Sequence, residues 1–208
     1  NEGGAYVAYS NISTGTEILF AQHVGDDLVP TWPSDGLQVN PNAILGQFNP
    51  KMVTSADGYL YYFWTEDIFF VGLRLFAQKY DITGAAQWAD GGLEIGPPDI
   101  SGDTYVTSAS AMADSTVIYV WESETVSGTK TYISKLMQDG STLWTESVTE
   151  ATGSQRSSIA TYNPESDMVT VGWEDHRNIV ESSVDLYAVS VDSDGNLGAE
   201  QLISNQFG

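Results

Sequence analysis

Apolar and polar residues alternate along short stretches of this chain, and each stretch ends at a cluster of Gly, Asp, Asn or Ser. Residues 73–81, LRLFAQKYD, show the alternation clearly. A period of two places every second side chain on one face, as a half-buried strand requires. Because turn residues recur about every 8 to 12 positions and β-branched and aromatic residues fill the gaps, the pattern predicts an all-β protein rather than a helical one.

One unit of sequence, residues 73–96, recurs along the chain at a spacing of 56 residues. Its tryptophan, Trp88, falls on Trp32 in one direction and on Trp144 in the other. Its turn glycine, Gly84, falls on Gly140, and Gly195 follows 55 residues later. A fixed period near 50 residues is typical of propellers and other repeat arrays. We therefore predict a β-propeller of four blade repeats, each of about 50 to 56 residues with antiparallel strands.

The repeats divide the chain into residues 1–40, 41–96, 97–151 and 152–208, as one propeller domain or segment over residues 1–208. Each full repeat has four short predicted strands, the first of which lies at residues 51–55 in the second repeat. The first repeat opens at AYVAYSN, which matches the second strand of the others, so it is expected to have three strands. We expect a segment of a larger propeller; a four-bladed ring that closes by itself is the alternative.

The six tryptophans fall into two regularly spaced sets. Regular spacing predicts a structural core, because large aromatic side chains fill the wedge between neighbouring propeller blades. A platform on which sugars stack is the alternative interpretation. The set after the third strand is Trp32, Trp88 and Trp144, and the set on the second strand is Trp64, Trp121 and Trp173.

Three recurring motifs resemble those of long, secreted or surface β-propeller repeat proteins of bacteria. They are a Trp-acidic step on the second strand, an aromatic-Ala-Gln third strand, and a D-x-x-G turn followed by Trp. The resemblance covers the whole chain and implies a fold and an extracellular location, but no particular activity. The carrying residues are Trp64-Thr65-Glu66-Asp67, Trp121-Glu122-Ser123-Glu124, Trp173-Glu174-Asp175, Phe20-Ala21-Gln22, Phe76-Ala77-Gln78, Tyr187-Ala188, Trp32, Trp88 and Trp144.

Charge excludes two classes of partner. The chain has 28 acidic and only 7 basic residues, for a net charge of -21. Nucleic acid and anionic membrane surfaces both require several Lys or Arg side chains on one face, so neither is expected as a partner. No apolar run is long enough to span a bilayer. Cysteine is absent, so the thiols say nothing about the redox compartment.

Acidic residues cluster after the second-strand tryptophans. Equivalent positions of successive blades lie on one rim of a propeller, so these acids predict a site for a ligand or a cation. A solvated loop edge that blocks edge pairing is the plainer interpretation, and paired carboxylates for glycoside chemistry are a third. The residues are Glu66, Asp67, Glu122, Glu124, Glu174 and Asp175.

The turn DSDGNLG offers side-chain oxygens at alternating positions, from Asp192, Asp194 and Asn196. A calcium loop has such a pattern, but it also needs an acid at its twelfth position, which is missing here. A plain Asp-Gly hairpin is therefore the favoured interpretation. Calcium stays the one candidate ion, to be bound weakly by this turn or by the acidic rim, and no other cofactor is expected.

These observations predict an extracellular binding or interaction module without catalysis. Its expected partners are another protein, further blades of the same parent, or a glycan. The alternative is a carbohydrate-active propeller enzyme, either a glycoside hydrolase or sialidase-like. With only two histidines and no nucleophile elbow, H-E-x-x-H or P-loop motif, the sequence offers no catalytic residues of its own.

Overall fold

A computed structural model describes residues 3–12, 15–96, 102–178 and 184–205. These residues form fifteen strands and no helix, and so no helix that could cross a membrane. The strands are β1 (Ala5–Asn11), β2 (Ile18–Val24), β3 (Leu37–Gln38), β4 (Gln47–Thr54), β5 (Leu60–Ile68), β6 (Gly72–Tyr80), β7 (Leu93–Glu94), β8 (Thr104–Ala111), β9 (Val117–Thr125), β10 (Gly128–Leu136), β11 (Thr142–Ser147), β12 (Gln155–Asn163), β13 (Met168–Asp175), β14 (Asp185–Val191) and β15 (Gln201–Asn205).

The strands form four antiparallel sheets in chain order. The first sheet has three strands, β1-β2-β3, and the next three have four each, β4-β5-β6-β7, β8-β9-β10-β11 and β12-β13-β14-β15. Every neighbour in a sheet is a neighbour in sequence, so each sheet is a meander. Successive sheets pack face to face, and the fold is a β-propeller, as the repeat predicted.

The first strands of the last three sheets, β4, β8 and β12, lie next to one another on the inner side. Each contains a bulge, between Phe48 and Lys51, between Val106 and Ser108, and between Arg156 and Ile159. The bulge explains why β4 begins at residue 47 and not at 51 as predicted. It interrupts the two-residue alternation from which the strand was recognised.

Three hydrophobic clusters hold the four sheets together, one at each junction. Strand β5 shows how one strand serves two of them. Tyr62 and Trp64 face the first sheet, whereas Tyr61 and Phe63 face the third, and all four are fully buried. Central strands buried on both faces therefore appear as continuous apolar runs such as YLYYFW.

A repeated contact, which we call the indole clasp, joins each sheet to the next. In each of the first three sheets, a tryptophan donates its Nε1–H to a carbonyl in a turn of the following sheet, at 3.0 to 3.3 Å. Trp32 and Trp88 lie between the last two strands of their sheets, and Trp144 lies within the last strand. Each indole ring lies against the glycine of that turn. A Cβ atom placed on the glycine would approach the ring to 3.2, 3.2 and 2.9 Å at the three junctions. The clasps are Trp32 to Ile82 and Gly84, Trp88 to Gln138 and Gly140, and Trp144 to Ser193 and Gly195.

Neither the turn glycine nor the tryptophan of a fourth clasp is present at the equivalent positions of the first and fourth sheets. Leu28 occupies the place of the turn glycine in the first sheet, with a φ of 62° and the same turn hydrogen bonds. Ala199 occupies the place of the tryptophan in the fourth sheet. Among the described residues, no hydrophobic cluster joins the fourth sheet to the first. The outer faces of these two sheets are thus not joined by the contact used at the other junctions.

The tryptophans differ in depth. Those on the second strands, Trp64, Trp121 and Trp173, are at most 2% exposed. Trp32 is buried, but Trp88 and Trp144 are only partly buried, because the clasp places these rings over a turn at the margin of the sheets. Each ring still contacts a neighbouring hydrophobic cluster.

The clasp predicts that Gly140→Ala lowers the free energy of unfolding more than Gly58→Ala does. Both glycines have φ near 90°, so both variants strain the backbone by about 1 kcal/mol. A Cβ at Gly58 meets nothing within 4 Å, whereas one at Gly140 meets Trp88 and Leu93. We expect an additional loss of about 1 to 3 kcal/mol for Gly140→Ala in urea unfolding. Equal losses would mean that the indole does not press on the turn.

Candidate functional site

Two of the predicted rim acids serve the second-strand tryptophans. Glu66 Oε2 accepts a hydrogen bond from Trp64 Nε1 at 2.9 Å, and Asp175 Oδ2 accepts one from Trp173 Nε1 at 2.9 Å. Both carboxylates are almost fully buried, with 4% and 1% of the residue exposed. A buried indole N–H needs an acceptor, and an acid two positions further on lies on the same face of the strand. The Trp-x-acid motif is therefore an internal hydrogen bond.

The Glu66 carboxylate is also tied to its surroundings. Asn40 Nδ2 donates to both of its oxygens, at 3.1 and 2.9 Å, and Gln47 Nε2 donates to Oε2 at 3.2 Å. These donors come from the segment that leaves the first sheet and from the start of β4. The carboxylate thus connects two sheets, and its oxygens are committed to protein donors.

Asp175 is held by Arg177, whose Nε, Nη2 and backbone N–H donate to it at 2.8 Å. Burial acts to raise the pKa of Asp175, but the hydrogen bonds from Arg177 and Trp173 outweigh it and hold the pKa below its usual value. The guanidinium also pairs with Glu200 at 2.6 Å and lies 4.0 Å from the ring centre of Tyr187. This cluster fixes the margin of the fourth sheet.

The third sheet departs from the motif. Ser123 stands two positions after Trp121, and the indole donates instead to Ser134 Oγ on the neighbouring strand at 3.0 Å. Of the other predicted rim acids, Asp67 is partly buried on β5 and Glu124 is exposed near the end of β9. The six acids therefore lie in different surroundings.

Glu122 and Glu174 lie one position after their tryptophans and so point to the opposite face. Glu122 Oε1 accepts hydrogen bonds from the backbone N–H of Ser158 at 3.0 Å and from its hydroxyl at 2.9 Å. Glu174 Oε2 accepts one from the hydroxyl of Ser157 at 3.1 Å. Two consecutive serines in the bulge of β12 thus hold carboxylates from two neighbouring sheets. The structure thus brings these two predicted acids to adjacent residues of β12, Ser157 and Ser158.

A cavity of about 710 Å³ lies over the bulges of β4, β8 and β12. Glu122 lines it directly, and Ser157 places Glu174 beside it. Lys51, Tyr105 and Arg156 line it too, although no sequence motif marks them. Two of them could have been found from their positions, because Arg156 and Tyr105 lie opposite the predicted acids Glu174 and Glu122 in the strand pairing. The bulges interrupt the register of these strands, so the pairing cannot be read from the sequence.

The Asp192 turn uses its oxygens internally. Asp192 Oδ1 accepts from the backbone N–H groups of Asp194 and Asn196 at 3.0 and 2.8 Å, and Oδ2 accepts from the Asn196 amide at 2.9 Å. The hydrogen bond from the Asn196 side chain is the largest cause of a lowered Asp192 pKa. Asp81 and Asp139 occupy equivalent turns in the same way. Within the described ranges no group of three or more His, Asp or Glu side chains is placed to hold a metal.

A second cavity, of about 880 Å³, lies between the first and second sheets, beyond the end of β4 opposite its bulge. Tyr6, His23, Tyr59, Asp57 and Asp81 are among its lining residues. The imidazole Nδ1 is 2.7 Å from the hydroxyl of Thr31. No recognisable motif marks this site in the sequence.

No family model matches the chain, and no curated protein matches it. Solved structures do share its fold. An α-L-arabinanase of Penicillium chrysogenum complexed with arabinobiose aligns with a TM-score of 0.56 and 13% identity over 95% of this chain and 71% of that one. A protein of unknown function from Dyadobacter fermentans gives 0.61 and 10%, over 95% and 65%. A thermostable family-43 glycoside hydrolase gives 0.57 and 9%, over 98% and 72%.

Identities this low show the fold and not the activity. The comparison still corrects the functional prediction. A binding module without catalysis was expected, but similar structures include an arabinanase and a glycoside hydrolase, which are enzymes. The finding favours the alternative interpretation, a carbohydrate-active propeller. The non-catalytic module was preferred wrongly because no catalytic motif is visible in the sequence, and glycoside hydrolysis needs only two suitably placed carboxylates.

The Asp175 cluster predicts a pH dependence of stability. Because the folded pKa lies below the unfolded one, the stabilisation is complete above about pH 4 and is lost as the pH falls through the folded pKa. We expect Asp175→Asn to lower the free energy of unfolding by about 1 to 3 kcal/mol at pH 7. The difference from the unmodified protein should shrink below about pH 4.

Chemical unfolding at several pH values measures this difference. Asp90→Asn is the matched control, because Asp90 is exposed and its side chain forms no hydrogen bond within the described ranges. A difference for Asp175→Asn that stays constant between pH 7 and 3 would contradict the assignment.

Proposed function

We propose that this chain is the propeller, or part of the propeller, of a glycoside hydrolase whose substrate lies over the bulged inner strands. The observation that carries the proposal is the pair of glutamates, Glu122 and Glu174, held by consecutive serines beside a cavity. The likeness to carbohydrate-cleaving enzymes agrees with it.

Two carboxyl groups suffice for cleavage of a glycosidic bond. One protonates the leaving oxygen, and the other acts as a nucleophile or activates a water molecule. The residues proposed for these roles are Glu122 and Glu174, which come from neighbouring sheets and so flank the backbone of β12. The hydrogen bonds from Ser157 and Ser158 fix the two carboxylates, as a site must do if it is to hold reacting groups in position.

The cavity has a size suited to a ligand, because small-molecule sites fall at about 300 to 1,000 Å³. Backbone strain is present at two of its bulges, where Asn49 and Ser157 have φ of 52° and 53°. Such residues cost on the order of 1 to 3 kcal/mol each and cluster at functional sites. Since the enzyme in one similar structure is complexed with arabinobiose, arabino-oligosaccharides are a first substrate to test.

Location and organisation belong to the same proposal. We propose a protein secreted by a bacterium or displayed on its surface, with repeats at residues 1–40, 41–96, 97–151 and 152–208. Its resemblance to secreted propellers supports this. Further blades, another protein or a glycan are the proposed partners.

Hydrolysis tests the proposal. We expect Glu122→Gln and Glu174→Gln each to lower kcat on a cleaved oligosaccharide by about 10²- to 10⁴-fold, because each removes a proton-transferring or nucleophilic group. Glu165→Gln, in the exposed turn before β13, removes the same charge away from the cavity and should leave kcat unchanged. If both cavity variants kept full activity while the melting temperature was unaltered, the pair would not be catalytic.

Weak calcium binding stays a prediction. Its motive is the net charge of -21, since a divalent cation relieves repulsion among carboxylates. Titration calorimetry with millimolar calcium should give a small heat and a raised melting temperature, both reduced in Asp192→Asn. If neither signal were seen, metal would have no part in the protein.

A further inference from the structure

The seven cationic side chains of this chain are not equally engaged. Five are engaged by protein groups in three ways: two form ion pairs, two donate to backbone carbonyls, and one lies over aromatic rings. These are Arg177 and Lys135, Arg74 and Lys130, and Lys79 over Tyr59 and Tyr61. Lys51 and Arg156 are the other two, and neither forms an ion pair within the described ranges.

Both of these cations line the cavity over the inner strands. Lys51 comes from β4 and Arg156 from β12, on the two sides of β8. The Arg156 Nε donates to the Thr129 hydroxyl at 3.2 Å, and its two Nη groups have no protein partner among the described residues. One nitrogen therefore holds the guanidinium in place while the rest of its fork is available to a ligand.

The cavity is also unusual in its charge. The chain carries 28 acids, yet among the residues that line this cavity two cations stand against one carboxylate, that of Glu122. Glu174 lies opposite Arg156 in the strand pairing but forms no ion pair with it within the described ranges and accepts from Ser157 instead. In so acidic a protein, two unpaired cations over one cavity favour an anionic ligand over a neutral one.

From this geometry we propose that the cavity binds an acidic glycan, with the carboxylate of a uronic acid unit at Arg156 and Lys51. The inference rests on the proposed glycoside hydrolase function and names its substrate class. A planar guanidinium fork matches a carboxylate in two parallel hydrogen bonds, and an ammonium adds a second positive charge. The ring of Tyr105, partly exposed in the cavity wall, offers an apolar face to the sugar.

Binding and hydrolysis of matched ligands test the proposal. Galacturonate or glucuronate oligosaccharides, neutral arabino-oligosaccharides and inorganic phosphate are titrated separately into the full chain by calorimetry. We expect the uronate oligosaccharides to bind most tightly, and more tightly still at low salt. Arg156→Gln should weaken their binding about 10- to 100-fold, and Lys51→Met about 5-fold or more, with the neutral sugars unaffected.

Lys135→Gln is the control, because it removes a cation from the Asp114 turn without altering the cavity, and it should leave uronate binding unchanged. Neutral sugars that are bound and cleaved as well as uronates, with Arg156→Gln without effect, would overturn the substrate class but not the hydrolase. Phosphate bound as tightly as the uronates would show a simple anion site and overturn the proposal. If no glycan were bound or cleaved, both the hydrolase and its substrate class would be wrong.

Discussion

The indole clasp is the contact on which the rest of the structure depends. A four-stranded meander cannot bury both of its faces alone, so each sheet must be held at a fixed distance from the next. The clasp does this with one hydrogen bond and one ring packed on a glycine, repeated at three junctions. Gln22 and Gln78 position two of these tryptophans by accepting from their backbone N–H at 3.1 Å. The glutamine of the aromatic-Ala-Gln motif thus helps to position the tryptophan of the indole clasp.

The buried tryptophans of the second strands need hydrogen-bond acceptors for their indole N–H groups, and acidic side chains serve as acceptors in two of the sheets. Glu66 and Asp175 look available in the sequence, yet each is the acceptor of a tryptophan and is almost fully buried. The carboxylates one position earlier face the other way and need other donors. In the third and fourth sheets these are Glu122 and Glu174, whereas the second sheet has Thr65 there. Strand alternation therefore separates the acids that accept hydrogen bonds from the indoles from those that accept hydrogen bonds from the serines of β12.

Much of the fold could be predicted because steric constraints fix which residue stands at each repeated position. Trp88 and Gly140 recur at a fixed spacing since the clasp tolerates no side chain on the glycine. The segment AYVAYSN was recognised as a strand because it matches the second strands of the other repeats, and it is β1. The cavity could not be predicted. Lys51 and Arg156 are 105 positions apart, and only the packing of β4 and β12 on β8 places them over one cavity.

The candidate site lies where the repeats differ. Clasp residues keep their identity at the three junctions, whereas the residues opposite the position after the second-strand tryptophan are Phe48, Tyr105 and Arg156 in turn. These positions are paired in the ladder, and the bulges that interrupt it lie close after them, far from the turns that form the clasp. The clasp thus lies at the margin of the sheets, whereas the candidate site lies over the inner strands. A propeller can thus acquire a charged, asymmetric cavity while the same clasp contact continues to join its blades.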